Sequence, residues 1–115
     1  MSSDELWHWR TDVTEGRTLV SLSGEIDLSG IERLREVLRD PGSRTGVVEV
    51  DLARVTFIDS SVIGVLIKAR SDAAAAGGCL RVVNPTGHVR RVLHVTGVLP
   101  LVTDEWRDGT GEDGR

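Results

Sequence analysis

Between Gly46 and Ala73 the apolar pattern of this chain changes period once, and that change limits what the chain can fold into. "GVVEVDL", Gly46 to Leu52, is a short valine-rich run, the composition of a strand with at least one buried face. After "TFID" the spacing turns helical. Val62, Leu66, Ala69 and Ala73 stand at i, i+4, i+7 and i+11 and share one helix face. Gly77-Gly78 gives that helix its C-terminal stop. A strand thus passes into a helix through one acid and two hydroxyls, Asp59-Ser60-Ser61.

The alternation of periods continues on both sides. "LWHWRTDVTEGRTLVSLSGEID" reads as two strands around Glu15-Gly16, with Val20 and Leu22 alternating with Ser21 and Ser23. Ser29, with Glu32 three residues on, predicts a capping box. It opens a helix on which Ile31, Leu34 and Leu38 recur while Glu32, Arg33, Arg35 and Glu36 face out. Asp40-Pro41-Gly42 stops that helix. "CLRVVN" is a further strand, and "PTGHVRRVLHVTG" a helix opened by Pro85 or Thr86 and closed by Gly97. "LPLVTDEW" has the composition for a last edge strand. The order β-β-α-β-α-β-α, with room for a final β, implies an α/β domain: a mixed sheet of four to five strands carrying helices. With 115 residues the chain holds one core. The expected domain covers residues 1–104, and residues 105–115 form a polar, glycine-rich tail expected to be mobile.

A net charge of −4 argues against nucleic acid as a partner, because such binders usually carry a basic face. The lone Cys79 forbids an intramolecular disulfide and suits a reducing compartment. "MSSDELWHWR" lacks the apolar region of a signal peptide, and no stretch approaches the ~20 apolar residues of a spanning helix. The expectation is a cytoplasmic protein with no membrane partner.

The search for chemistry is mostly negative. His8, His88, His94 and Cys79 show neither a Cys-x-x-Cys nor a His-x-x-x-His pair, so no metal or other cofactor is expected. "GTGEDGR" lacks the Gly-Lys-Ser/Thr end of a nucleotide loop. Acid pairs such as Glu25 and Asp27 are too common to signal acid–base catalysis. Ser60 and Ser61 lack the Gly-x-Ser-x-Gly elbow, and no base is fixed beside them by spacing. No catalytic residue is expected. Two readings of Asp59-Ser60-Ser61 stay open. One is a helix cap, which contributes about 0.5–2 kcal/mol. The other is a switch. A serine in the first turn faces free N–H groups and the positive end of the dipole, where an added phosphate is tolerated. That phosphate would bring about −1.5 to −2 charge to the surface without unfolding the host.

Three stretches in this order resemble the STAS family, named for sulfate transporters and anti-sigma antagonists, and within it the stand-alone anti-sigma factor antagonists of bacteria. They are "LSGEIDLSG", "VVEVDLARVTFIDSSVIGVLIKA" and "GGCLRVVNPTGHVRRVLHVTGV", and the resemblance covers about residues 17 to 103. It implies a single STAS-like domain with helices mainly on one side of the sheet. It also implies phosphorylation of Ser61, with Ser60 the lesser candidate. The partner-binding surface would comprise Asp59, Ser60, Ser61, Val62 and Gly64, with Gly24, Glu25 and Asp27 from the first stretch. The family usually shows glycine directly after the phosphorylated serine, whereas this chain has Val62.

The implied function is non-enzymatic. An anti-sigma factor that is also a serine kinase would be the partner, a sigma factor would be freed, and a serine/threonine phosphatase would reset the cycle. The chain would work as a monomer or weak homodimer. The alternative is a STAS scaffold or regulatory module that is never phosphorylated and packs into a larger assembly.

Overall fold

The computed structural model of the chain describes residues 6–39 and 46–103. β1 (Trp7–Thr14) and β2 (Arg17–Ile26) form an antiparallel hairpin in which Thr14 faces Arg17 and Trp7 faces Gly24. Its two-residue turn is Glu15-Gly16, and Gly16 takes φ +70°, a conformation that a residue without Cβ adopts at no steric cost. β3 (Val47–Ile58) runs parallel to β2, and β4 (Cys79–Val83) parallel to β3, giving a four-stranded mixed sheet in the order β1-β2-β3-β4. Each parallel step needs a crossover, and the helices supply it.

Period-two alternation sorts the sheet into two faces. Thr18, Val20 and Leu22 of β2, Val48, Val50 and Leu52 of β3, and Leu80 and Val82 of β4 are all buried. Their neighbours form the other face, where Glu49 lies between Arg17 at 3.2 Å and Arg81 at 2.6 Å. Over the apolar face pack α1 (Ile31–Arg39) and α2 (Ser60–Ala75), which bring Ile31, Leu34, Leu38, Val62 and Leu66 into one core with the strands. The expected face of α2 is borne out and is wider than expected, because Ile63 and Val65 are buried as well. α3 (Gly87–Val95) packs against β3 through its buried Val89 and Leu93. No described helix is long and apolar enough to cross a membrane.

The glycine stops act as expected. Gly78 N–H donates to Ala73 O at 2.9 Å and Gly77 N–H to Ala74 O at 3.1 Å. The same pair of bonds recurs at the end of α3, from Val98 to Leu93 and from Gly97 to His94, both at 3.0 Å. Both are Schellman closures, which satisfy the last helical carbonyls.

Two expectations are corrected. The Ser29–Glu32 capping box does not form. Asp27 takes the cap instead, its Oδ1 accepting from Ser29 N–H at 3.0 Å and from Ser29 Oγ–H at 2.6 Å, and a 3-10 turn over Leu28–Gly30 leads into α1. The hydroxyl of Ser29 is spent as a donor to the stronger acceptor, and Glu32 pairs with Arg35 at 2.9 Å. The last edge strand is instead a helix, α4 (Leu99–Thr103). Val98, Leu99 and Val102 are buried at i, i+1 and i+4, a helical spacing that so short an apolar run does not separate from a strand. Pro100 lies in its first turn, where the missing N–H has no intrahelical partner to lose. The expected stop at Asp40-Pro41-Gly42 and the expected tail at 105–115 lie outside the described residues.

Candidate functional site

β3 delivers Asp59 to the mouth of α2 in extended conformation, φ −113° and ψ −177°, so the carboxylate folds back over the first turn. Its Oδ1 accepts from Ser61 N–H at 3.0 Å, from Val62 N–H at 3.3 Å and, in a short bond, from the Ser61 hydroxyl. Its other oxygen accepts from Leu28 N–H at 3.0 Å, thirty-one residues earlier. One side chain therefore caps α2 and ties the Asp27–Gly30 turn to it. The Ser61 hydroxyl is the largest influence holding the Asp59 carboxyl below its ordinary value of 3.8. Partial burial works against it, and the Val62, Leu28 and Ser61 N–H groups add to the lowering. Asp59 is an anion at neutral pH, with four donors aimed at it.

Ser60 is exposed, Ser61 half-buried, and Gly64 exposed with open space where a Cβ would stand. Val62, by contrast, is 1% exposed. Its side chain belongs to the core, so the bulk that distinguishes it from glycine points away from the serines. The surface beside Ser61 is made by Ser60, Gly64 and the turn across the gap.

Gly24, Glu25 and Asp27 reach the same neighbourhood by different routes. Gly24 has φ +100°, and a Cβ there would stand 2.1 Å from Leu6 O, so the position admits glycine alone. It sits at a register shift between β2 and β3, and Thr56 Oγ donates to its carbonyl at 3.4 Å. Glu25 is exposed, and its N–H donates to Leu6 O at 3.0 Å. Asp27 is half-buried and engaged with Ser29. Gly24 and Asp27 shape the turn, and Leu28 N–H is the atom that joins it to Asp59.

Two residues at this site escaped sequence reasoning. Leu28 is 70% exposed and Phe57 39% exposed, both large apolar side chains flanking the cap. Phe57 stacks on His88 of α3, ring centroids 5.4 Å apart. The signal for Leu28 was present: an apolar residue enclosed by Asp27 and Ser29 in a turn has no helical or strand face to serve. Between α1 and α2 runs a groove of about 830 Å³, lined by Leu28, Ile31, Val65 and Ala69, with Arg35 and Lys68 also on its wall and Ser61 among its lining residues. Among the described residues no three His, Cys, Asp or Glu side chains gather as a metal site would need.

A four-stranded mixed sheet, helices over one face and an acid-capped serine where β3 meets α2 define a STAS domain. The profile described as "Mlab, STAS domain" matches residues 9–103, and the chain belongs to that family. A protein from Lysinibacillus sphaericus named anti-sigma F factor antagonist is 26% identical over 95 residues, 80% of each chain. The fold is similar to that of the anti-sigma factor antagonist SpoIIAA in its unphosphorylated form. That likeness has TM-score 0.68 and 21% identity, over 93% of this chain and all of that one. It is similar also to an anti-sigma factor antagonist from Mycobacterium paratuberculosis, with TM-score 0.72 and 22% identity, over 92% and 95% of the two chains.

Proposed function

We propose that this protein is an anti-sigma factor antagonist whose partner is an anti-sigma factor with serine-kinase activity, and that Ser61 carries the switch. The observation that carries this reading is the Ser61 hydroxyl: half-buried on the first turn of α2, with its proton directed to Asp59. A hydroxyl that donates to a carboxylate turns its lone pairs elsewhere, toward an incoming phosphoryl group. Transfer would form the Ser61 Oγ–P bond, break the bond to the β-phosphate of ATP and release ADP and the hydroxyl proton. Asp59 orients the oxygen in this step. Held below its ordinary value, its carboxyl is a weak base, and its role is positional.

The consequence is electrostatic. The modification removes the donor that Asp59 relies on and sets a dianion beside a carboxylate. A partner surface that had accommodated the unmodified site then meets like charge, which costs several kcal/mol at an interface. At 1.4 kcal/mol per tenfold, a loss of ~3 kcal/mol lowers affinity more than a hundredfold. In this reading the chain itself catalyses nothing. A serine/threonine phosphatase restores the binding form, and exposed Leu28 and Phe57 supply the apolar contacts of the docked state. The protein works in the cytoplasm. The test is incubation with an anti-sigma serine kinase and ATP followed by intact-mass measurement. Wild type gains one phosphate and Ser61→Ala gains none; equal uptake by Ser61→Ala overturns the assignment.

A second reading is supported by likeness to domains within longer chains. One is the murine Slc26a9 anion transporter, of which the similar part is 15%, with TM-score 0.64 and 23% identity. Here the domain is a scaffold that no kinase modifies. A protein that stays unmodified in the assay above and elutes as part of a large assembly would support it.

A further inference from the structure

The outer edge of β1 has a hydrogen-bonding parity and a charge order that fit one occupant. Glu25 N–H donates to Leu6 O, and Trp7 faces Gly24 in the register. In an antiparallel ladder bonded and non-bonded pairs alternate, so His8, Arg10, Asp12 and Thr14 bond inward to β2. Trp7, Trp9, Thr11 and Val13 turn their N–H and C=O groups outward, where no described strand pairs with them. Their side chains lie on the helix-bearing face, level with Gly24, Leu22, Val20 and Thr18. Trp9 is 38% exposed and Val13 64% exposed. On the opposite face stand Arg10 and Asp12, 3.5 Å apart and well exposed.

We infer that β1 is the contact of a two-fold symmetric homodimer, in which β1 of a second copy pairs antiparallel with it about Thr11. Outward-facing residues must bond to outward-facing residues, which leaves few registers. Centring on Thr11 makes Thr11 with its symmetry mate a bonded pair and sets Trp9 against Val13 of the second copy, apolar on apolar. It also sets Arg10 against Asp12 of the second copy, twice by symmetry, in the non-bonded pairs where side chains approach most closely. Centring on Arg10 places Arg10 against Arg10, and centring on Asp12 places Asp12 against Asp12. Like charges directly opposite oppose both. The result is one eight-stranded sheet, counting the four strands of each copy, with the helices of both copies on the same side.

An exposed edge strand of eight residues is a pairing hazard unless something blunts it. A charge pattern that opposes the two nearest shifted registers, and sets opposite charges face to face in the Thr11-centred one alone, directs the edge to a closed dimer. None of these residues belongs to the Asp59–Ser61 site, so the inference stands apart from the functional reading.

The test is sedimentation equilibrium of four proteins: wild type, Arg10→Asp, Asp12→Arg and the double exchange. Each single reversal turns both cross-copy pairs repulsive and weakens dimerisation by about tenfold or more. The double exchange restores both pairs, and with them the wild-type association constant, within about threefold. It also keeps an acid–base pair, reversed in order, between positions 10 and 12 inside each copy, and serves as the control for folding, checked by circular dichroism. Thr11→Pro removes an outward N–H without touching the hairpin ladder and leaves a monomer. Wild type that is monomeric at every accessible concentration overturns the inference. So does a double exchange that remains as weak as the single variants.

Discussion

Two helices of this molecule begin just after strands of the same sheet, and they begin differently. α2 starts at Asp59 and α3 at Thr86, both caps in extended conformation. Asp59 accepts from two N–H groups of its own first turn, from the Ser61 hydroxyl and from Leu28 across the gap. Thr86 makes no side-chain cap bond. Folding does not require the first arrangement, because α3 is held without it by fully buried Val89 and Leu93. The excess of hydrogen bonds at α2 is a local device. It puts a fixed anion and an oriented hydroxyl at one surface point, as the proposed modification of Ser61 needs and an ordinary helix start does not.

The largest effect separating the two ends concerns a partner. Ser61→Glu places a permanent carboxylate on the first turn of α2 and weakens binding to the proposed anti-sigma kinase partner by about a hundredfold or more. Thr86→Glu, at the exposed start of α3, changes it by no more than about threefold. Titration calorimetry with the purified partner measures both. Equal effects from the two ends would erase the distinction between them.

Next in size is stability. Asp59→Ala removes the cap of α2 and the tie to Leu28, and costs about 1–2 kcal/mol in urea unfolding. In hydrogen exchange the Leu28 amide loses protection along with the amides of Ser61 and Val62. Protection lost at α2 and kept at Leu28 would show that the two segments are held together by something other than this carboxylate.

Asp59 also gives the comparison a dependence on pH. Its folded-state carboxyl sits below the ordinary value of 3.8, chiefly because of the Ser61 hydroxyl. A lowered folded value means that its contribution is complete above the unfolded value and is lost as pH falls through the folded one. Asp59→Asn keeps a capping side chain but cannot titrate. Its stability deficit relative to wild type is therefore constant above about pH 5 and shrinks below about pH 4. Ser61→Ala removes the largest lowering influence, so the Asp59 carboxyl titrates higher than in wild type, as carboxyl-carbon resonances report.

How much of this was legible in the sequence depended on the range of the interaction. Strand alternation in Val20 and Leu22, the helical stripe of Val62, Leu66, Ala69 and Ala73, and the glycine stops are local patterns, and each appears in the structure where the sequence put it. Asp59 as a cap was equally local. The bond from Leu28 was not, since nothing in either stretch says that residues thirty-one apart will meet. By sequence, Val62 is a neighbour of the serines, but neighbours in sequence need not be neighbours on the surface. The helix turns it into the core. "LPLVT" failed for another reason: five apolar-rich residues fit either period, and only packing against β4 and α2 decides for a helix.

The smallest effect tests the other half of the comparison. Thr86→Ala deletes a hydroxyl that makes no cap bond, at a helix start already set by Pro85 before it and by the apolar contacts of Val89 and Leu93 beyond it. A surface change of this kind moves stability by no more than about 0.5 kcal/mol, against the larger loss at Asp59. A Thr86→Ala cost matching that of Asp59→Ala would mean that both helix starts need their caps for folding. The four donors gathered on Asp59 would then be the ordinary requirement of a helix, and the oriented Ser61 hydroxyl a by-product of capping.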